Sequence, residues 1–239
     1  MSLPARLQGD AVTHAFYLHG FASSPQSSKA AFFRTRLAEH DVPVHVPDFN
    51  IPDFSTLTIS RMVDQVGQAL DELTRDSPIV LIGSSLGAFV AVHVALRYRA
   101  RIDRLVLLAP ALDFSGNRLR TLGDRGIDEW RRTNQLQVFH HSFGRLMPVS
   151  FDLYTDAEQY DAFNAQLDQP ILIFQGERDE AVDPETVKRW AEARPNVQLR
   201  LLDDDHQLLA SLETIWTETA GFLALTPGRS LPRDAARQA

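Results

Sequence analysis

The sequence predicts an α/β protein with a mostly parallel sheet that helices cover on both faces. Short apolar or β-branched runs alternate with segments of helical spacing along the chain, which is the order of elements that βαβ units require. Several of these runs are apolar throughout, as expected for strands that are buried on both faces. The 239 residues, 44% of them hydrophobic, suffice for one core with an insertion.

The elements follow from local patterns. The amphipathic spacing of Met62, Val63, Val66 and Leu70 predicts a helix, and Pro184 stands at a favoured first helical position. The expected strands are 11–18, 42–46, 79–82, 105–108, 171–174 and 197–202. The expected helices are 26–39, 57–73, 86–97, one from 184 through 190, and 208–222.

Regular patterning lapses between residues 111 and 167, an aromatic-rich and polar stretch. This stretch is too long for a simple connection. We therefore expect a small cap at 111–167, inserted over the end of the sheet where open α/β folds bind ligands. The core would comprise 1–110 and 168–225, and the polar residues 226–239 are expected to form a disordered tail.

Composition excludes several classes of function. A formal net charge of −7 argues against a nucleic-acid or anionic-membrane partner. The absence of cysteine excludes disulfides, thiolate nucleophiles and cysteine-ligated metals. The first fourteen residues have no apolar signal region, and no run predicts a membrane span, so we expect a cytoplasmic protein. The sequence leaves the oligomeric state open.

The stretch Gly83-Ser84-Ser85-Leu86-Gly87 joins a predicted buried strand directly to a predicted buried helix. The pattern G-x-S-x-G fits a nucleophile elbow, in which small residues let the strand and helix backbones approach while the serine hydroxyl stands exposed. The alternative is a glycine-rich turn without chemistry. The position between strand and helix favours Ser85 as a nucleophile.

A second motif, His19-Gly20-Phe21, follows the first strand. Acyl transfer needs hydrogen-bond donors aimed at the developing oxyanion. The backbone N–H groups of Phe21 and Leu86 are the candidates. The alternative is an ordinary turn in which His19 only packs.

A serine nucleophile needs a base, and in this arrangement the chain order is serine, acid, histidine. Of eight histidines, only His206 lies between the last predicted strand and the last predicted helix. His93 lies on the helix behind the serine. His140 and His141 lie in the expected cap and have no third metal ligand spaced nearby. His206 is therefore the candidate base.

Asp179 follows the strand 171–174 after a short turn and is the first candidate for the acid. Asp113, one strand earlier, remains the alternative. Asp183 precedes Pro184 and suits a helix N-cap better. We expect Asp203–Asp205 to be solvated loop charges, too near His206 in sequence to orient its ring.

With these residues in order, the chain resembles the α/β-hydrolase superfamily over residues 11–225. YLHGFASSPQSSKA resembles the oxyanion segment of small bacterial esterases and thioesterases, and FQGERDEAVDP and DDDHQL resemble the acid and histidine loops. The resemblance implies a triad of Ser85, Asp179 and His206, with oxyanion donors at Phe21 and Leu86. This chain departs from the family in having acidic residues where a glycine often precedes the histidine.

The resemblance implies a serine hydrolase that cleaves small-molecule carboxylic esters through an acyl-enzyme, without metal or organic cofactor. Thioesterases and peptidases use the same triad, so the sequence leaves these open, as it does the acyl chain length. A non-catalytic ligand-binding or interaction protein is the rival from another class. Cap aromatics such as Trp130 and Phe139 indicate either a partly apolar substrate group or the cap's own small core.

Overall fold

The computed structural model of the chain describes residues 12–114 and 122–225. The predicted disordered tail, 226–239, lies outside the described residues. The predicted α/β architecture is confirmed. The strands are β1 (His14–Leu18), β2 (Val44–His45), β3 (Ile79–Ser84), β4 (Ile102–Leu108), β5 (Leu136–His140), β6 (Arg145–Val149), β7 (Ile171–Gly176) and β8 (Val197–Leu202).

Seven α-helices connect or flank these strands in the described part of the chain. They are α1 (Ser28–Ala38), α2 (Ile59–Asp71), α3 (Leu86–Arg97), α4 (Gly123–Thr133), α5 (Asp152–Ala157), α6 (Pro184–Glu192) and α7 (Leu212–Phe222). None of the helices within 12–114 and 122–225 has the length and apolarity needed to cross a membrane.

Six parallel strands form the main sheet in the order β2-β1-β3-β4-β7-β8. Side chains alternate between its faces, as β1 illustrates. Phe16 and Leu18 belong to the core on one face, together with residues of α2, α3 and α6. Ala15 and Tyr17 belong to the core on the other face, with residues of α1 and α7. Burial on both faces explains the uninterrupted apolar runs of the sequence.

The expectation that residues 111–167 are irregular was wrong for much of that segment. It contains α4, an antiparallel β5–β6 hairpin and α5. These elements are short and largely exposed, so few apolar positions mark them. In α4, for example, only Ile127 and Trp130 are buried. The hairpin turns at Gly144, whose φ of 64° favours glycine.

The carboxyl ends of four strands meet at one edge of the sheet. Leu18 at the end of β1 pairs with Gly83 in β3, and Gly176 at the end of β7 pairs with Leu202 in β8. Because parallel strands end on the same side, the residues that follow β1, β3, β7 and β8 come together there.

Candidate active site

Ser85 occupies a sharp strand-to-helix turn between β3 and α3. Its backbone N–H donates to Leu108 O at 2.9 Å, and its carbonyl accepts from Ala88 N at 3.0 Å and Ala111 N at 3.2 Å. Its φ of 54° lies in the left-handed region. For a residue other than glycine, that conformation costs on the order of 1–3 kcal/mol and persists only where the surroundings impose it. These three hydrogen bonds hold the strained turn in place.

The glycines that flank Ser85 permit this turn because there is no room for a Cβ atom. A Cβ on Gly83 would lie 2.5 Å from the Cα of Ala88, and one on Gly87 would lie 2.0 Å from Leu18 O. The close approach of strand and helix therefore requires glycine at both positions. This is the local reason for the G-x-S-x-G spacing.

The structure brings Ser85, His206 and Asp179 into one continuous chain of hydrogen bonds. Ser85 Oγ lies 3.1 Å from His206 Nε2, and His206 Nδ1 lies 2.8 Å from Asp179 Oδ2. Ser85 comes from the β3–α3 turn, Asp179 from the loop after β7, and His206 from the loop after β8. The residues that the sequence singled out thus lie together at the sheet edge.

Asp179 is held as an anion by several donors. Burial opposes its ionisation, but the hydrogen bond from His206, the backbone N–H of Val182, the charge of His206 and the side-chain amide of Gln175 together lower its pKa below the usual value. A carboxylate only accepts hydrogen bonds. His206 Nδ1 must therefore carry the proton towards Asp179, which leaves Nε2 free to accept from Ser85 Oγ.

The other carboxylates near the site have different partners. His206 Nδ1 contacts Asp179 and not Asp113. Asp183 caps the first turn of α6, accepting from Glu185 N at 3.1 Å. The expectation that residues 203–205 are solvated was wrong for Asp204, which is buried because its carboxylate accepts from Ser211 N at 2.9 Å. That bond folds the histidine loop back on itself.

The proposed oxyanion donors lie beside Ser85. Among the described turns and loops, no backbone carbonyl accepts from the N–H of Phe21 or of Leu86, and both residues are packed at the apolar core next to the turn. Gly20 follows β1 so closely that a Cβ there would lie 3.3 Å from Ser84 O. The His19 ring is buried and accepts from Phe49 N at 3.2 Å, so it packs and positions the neighbouring backbone.

The β5–β6 hairpin is tied to the loop that carries Phe21. His141 N donates to Ala22 O at 3.0 Å. Asn50 connects this loop to the hairpin. Its Nδ2 donates to Ser23 O at 2.9 Å, and its Oδ1 lies 2.9 Å from His140 Nε2. The sequence offered no signal for Asn50, because its partners are distant along the chain.

A cavity of about 420 Å³ opens beside Ser85 and His206. Phe139 from the hairpin lines it and is half-exposed. Trp130 does not line it, because its ring is buried and its Nε1 donates to Val149 O at 2.8 Å. Lys29 on α1 also lines the cavity. Sequence reasoning missed Lys29, although it lies within the quoted oxyanion segment.

The histidines outside this chain of hydrogen bonds do not form a metal centre. In the described ranges no group of three or more histidine, aspartate or glutamate side chains is placed to hold a metal ion. His93 is buried in α3 and packs edge-on against Phe89, and burial lowers its pKa to about 4.

Solved structures share this fold over most of their length. A putative hydrolase from Agrobacterium vitis S4 superposes with a TM-score of 0.78 at 23% identity, over 88% of this chain and 87% of that one. Est1E from Butyrivibrio proteoclasticus, solved with ferulic acid bound, gives 0.75 at 18% identity, over 91% and 90%. At these identities the likeness concerns the fold, which is that of the α/β-hydrolase superfamily.

Lipase LipV from Mycobacterium tuberculosis is 35% identical over 95 residues, which cover 37% of this chain. The match spans 36% of that relative's length. The broader sequence match is to a family model over residues 14–220. The chain thus belongs to the Uncharacterised protein family (UPF0227), and its fold is that of the α/β hydrolases.

Proposed function

We propose that this protein is a serine hydrolase that cleaves carboxylic esters, with Ser85 as nucleophile, His206 as base and Asp179 as the orienting acid. The observation that supports this most strongly is the unbroken hydrogen-bond chain from Ser85 Oγ through His206 to Asp179, at the wall of a cavity. A turn without chemistry would need neither the strained φ of Ser85 nor the buried carboxylate behind His206.

In the first step, Ser85 Oγ attacks the acyl carbon while its proton moves to His206 Nε2. The C–O bond to the alcohol then breaks, and His206 returns the proton to the leaving alkoxide. Asp179 stays ionised throughout and stabilises the imidazolium through Nδ1–H. Its lowered pKa supports this role because the carboxylate remains charged over the whole neutral range.

The negative charge that develops on the carbonyl oxygen needs donors in place before the reaction. The backbone N–H groups of Phe21 and Leu86 would supply them, one from each side of Ser85. In the second step, His206 takes a proton from water, whose oxygen attacks the acyl-enzyme. The acid departs, and Ser85 recovers its proton from His206.

Residues 111–167 would act as the cap that selects the substrate, over a core of 1–110 and 168–225. The hairpin supports this proposal because Phe139, His141 and Ser142 all line the cavity. Phe139 would contact an apolar part of the substrate. Trp130 instead belongs to the buried core. The same atoms could attack thioesters and peptides, so the experiment below compares these compounds with esters.

The names of relatives favour ester hydrolysis over these alternatives. The matched part of LipV belongs to a lipase. An esterase from Thermogutta terrifontis also shares the fold, with a TM-score of 0.64 at 20% identity over 90% of each chain.

The test is turnover of p-nitrophenyl esters from acetate to decanoate, with an acyl thioester and a p-nitroanilide as comparisons. Ser85→Ala should lower turnover by about 10⁴-fold or more. Ser77→Ala is the matched control, because Ser77 lies before the first residue of β3 and Ser85 follows its last. We expect it to retain turnover.

Wild-type protein that folds but hydrolyses none of these compounds would contradict the proposal and favour a ligand-binding role. Turnover that survives Ser85→Ala would contradict the assignment of the nucleophile. Faster turnover of the thioester or the anilide than of every ester would contradict the assignment to carboxylic esters. The assignment of the triad residues would stand.

A further inference from the structure

Lys29 is a buried cation on the wall of the cavity. It lies in the first turn of α1, the residue is 9% exposed, and it lines the same cavity as Ser85 and His206. Its Nζ donates one hydrogen bond, to Gln207 O at 2.9 Å. An ammonium group has three N–H donors, so two remain to be placed.

No carboxylate of residues 12–114 and 122–225 forms an ion pair with Lys29. Burial lowers the pKa of Lys29 to about 8, although Asp179, Asp205 and Asp204 oppose this from a distance. None of these three carboxylates lines the cavity. A buried charge without a direct partner is unfavourable, and here the missing partner would have to come from the cavity.

The rest of this wall also suits an anion. Ser27 and Ser28, at the start of α1, line the cavity beside Lys29. Their hydroxyls can donate hydrogen bonds, and the amino end of a helix carries partial positive charge. Among the described residues that line the cavity, one is a lysine and none is an aspartate or glutamate. Lys29 is therefore the cation that an anionic group in the cavity would meet.

We propose that the natural ester carries a carboxylate of its own, which the Lys29 ammonium binds in the cavity while Ser85 attacks the ester bond. This inference rests on the proposed function and specifies its substrate class. A single ammonium matches the single charge of a carboxylate, whereas phosphate monoesters carry nearly two. The reaction remains hydrolysis: water is consumed, the ester C–O bond breaks, and the free carboxylate keeps its charge.

The experiment uses ester pairs that differ mainly in charge. Mono-p-nitrophenyl adipate and p-nitrophenyl hexanoate place the carboxylate on the acyl side. 4-Acetoxybenzoate and its methyl ester place it on the alcohol side. The quantity measured is the ratio of kcat/KM for the anionic ester over its neutral partner, for wild type and variants. Because each pair is attacked by the same residues, an altered ratio reports recognition of the charge.

We expect Lys29→Met to lower this ratio by about 10- to 100-fold for one of the two pairs, as for loss of a hydrogen bond to a charged group. Lys29→Arg, which keeps the charge, should give a ratio above that of Lys29→Met. The matched control is Lys188→Met, which removes the only other lysine of the chain. Lys188 lies on α6 and pairs with Glu185.

The pH dependence of the ratio gives an independent readout. Lys29 is charged below about pH 8 and neutral above it, so the wild-type ratio should fall as pH rises through that value. The other titratable groups near Lys29 are Tyr17, His141 and His206 at the cavity and the carboxylates of residues 179, 204 and 205. Burial raises the pKa of Tyr17, so its hydroxyl stays neutral in this range. His206 serves both esters of a pair, and the fall should be absent from Lys29→Met.

A ratio that Lys29→Met leaves unchanged in both pairs would overturn the inference. That includes the case in which both esters of a pair slow equally, because Lys29 would then only hold the histidine loop through Gln207 O. Failure of the proposed function looks different, since wild type would then hydrolyse no ester of either pair.

Discussion

The turn around Ser85 and the β5–β6 hairpin line the same cavity but differ in how tightly their backbones are constrained. At the turn, a Cβ on Gly87 would lie 2.0 Å from a carbonyl oxygen, whereas a Cβ on Gly144 in the hairpin meets nothing within 4 Å. Leu86 is buried, but Leu146 in the hairpin is 62% exposed.

This difference separates two roles. Attack, proton transfer and oxyanion binding need atoms fixed in place, and the turn supplies that through close backbone contacts. Substrate choice needs only side chains that face the cavity, and exposed hairpin positions can change with little effect on folding. We therefore expect substitutions at the turn to affect catalysis or stability, and substitutions in the hairpin to affect substrate preference.

After Ser85→Ala, the largest effect is expected from Asp179→Asn. The Asn oxygen can still accept from Ala181 N and Val182 N, which now donate to Asp179 at 2.8 Å. Its amide would donate to His206 Nδ1, which places the imidazole proton on Nε2, where it can no longer accept from Ser85. We expect kcat to fall by about 10⁴-fold. Asp183→Asn, four residues later, is the matched control, and an equal loss in both would contradict the assignment of the acid.

Gly87→Ala should break the turn itself. Because its Cβ would overlap Leu18 O, we expect a loss of about 3 kcal/mol in the free energy of unfolding. For a chain of this size the melting temperature would fall by about 6–12 °C. Gly221→Ala in α7, where a Cβ has open space, should stabilise by about 0.5–1 kcal/mol. Equal melting temperatures for the two variants would argue against the close contact.

Asn50→Ala tests the link between the two regions. It removes the contacts that join Ser23 O and His140 Nε2, so the loop that carries Phe21 N–H should shift. We expect kcat to fall by about 10- to 100-fold, as for a small misplacement of reacting groups. Asn164→Ala, at an exposed residue whose side-chain amide donates to Asp161, provides the control. A changed KM with an unchanged kcat would show that Asn50 does not position the oxyanion donor.

The smallest effects are expected in the hairpin. Phe139→Ser should alter the preferred acyl chain length with changes of about 3- to 10-fold in kcat/KM, as for the loss of one or two methylene contacts. Leu146→Ser lies outside the cavity lining and should leave the preference unchanged. Both should shift stability by less than about 0.5 kcal/mol because the side chains are exposed. An identical chain-length profile for Phe139→Ser and wild type would remove Phe139 from substrate contact.

The same contrast explains what the sequence could predict. Close backbone contacts require glycine at positions 83 and 87. The strand, turn and helix around Ser85 are therefore recognisable in the sequence as a motif. His206 and Asp179 follow strands directly, and strand order brought them to one edge. The hairpin and α4 left no such signal, because short amphipathic elements bury few side chains.

Other features depend on contacts between residues far apart in the chain. Lys29 bonds to Gln207, which lies 178 positions later in the chain, and Asn50 bonds to His140, which lies 90 positions later. Asp204 stands in an acidic run that looks solvated, yet its bond to Ser211 N buries it. Tertiary contacts of this kind have no local pattern, so only the structure could reveal them.

The central claim is that Ser85 is the nucleophile, and labelling with a fluorophosphonate tests it most directly. Intact mass of the wild type should show a single adduct, which peptide mapping places on Ser85, while Ser85→Ala should remain unlabelled at the same probe concentration. A folded wild type without an adduct, or an adduct that maps to another residue, would contradict the account.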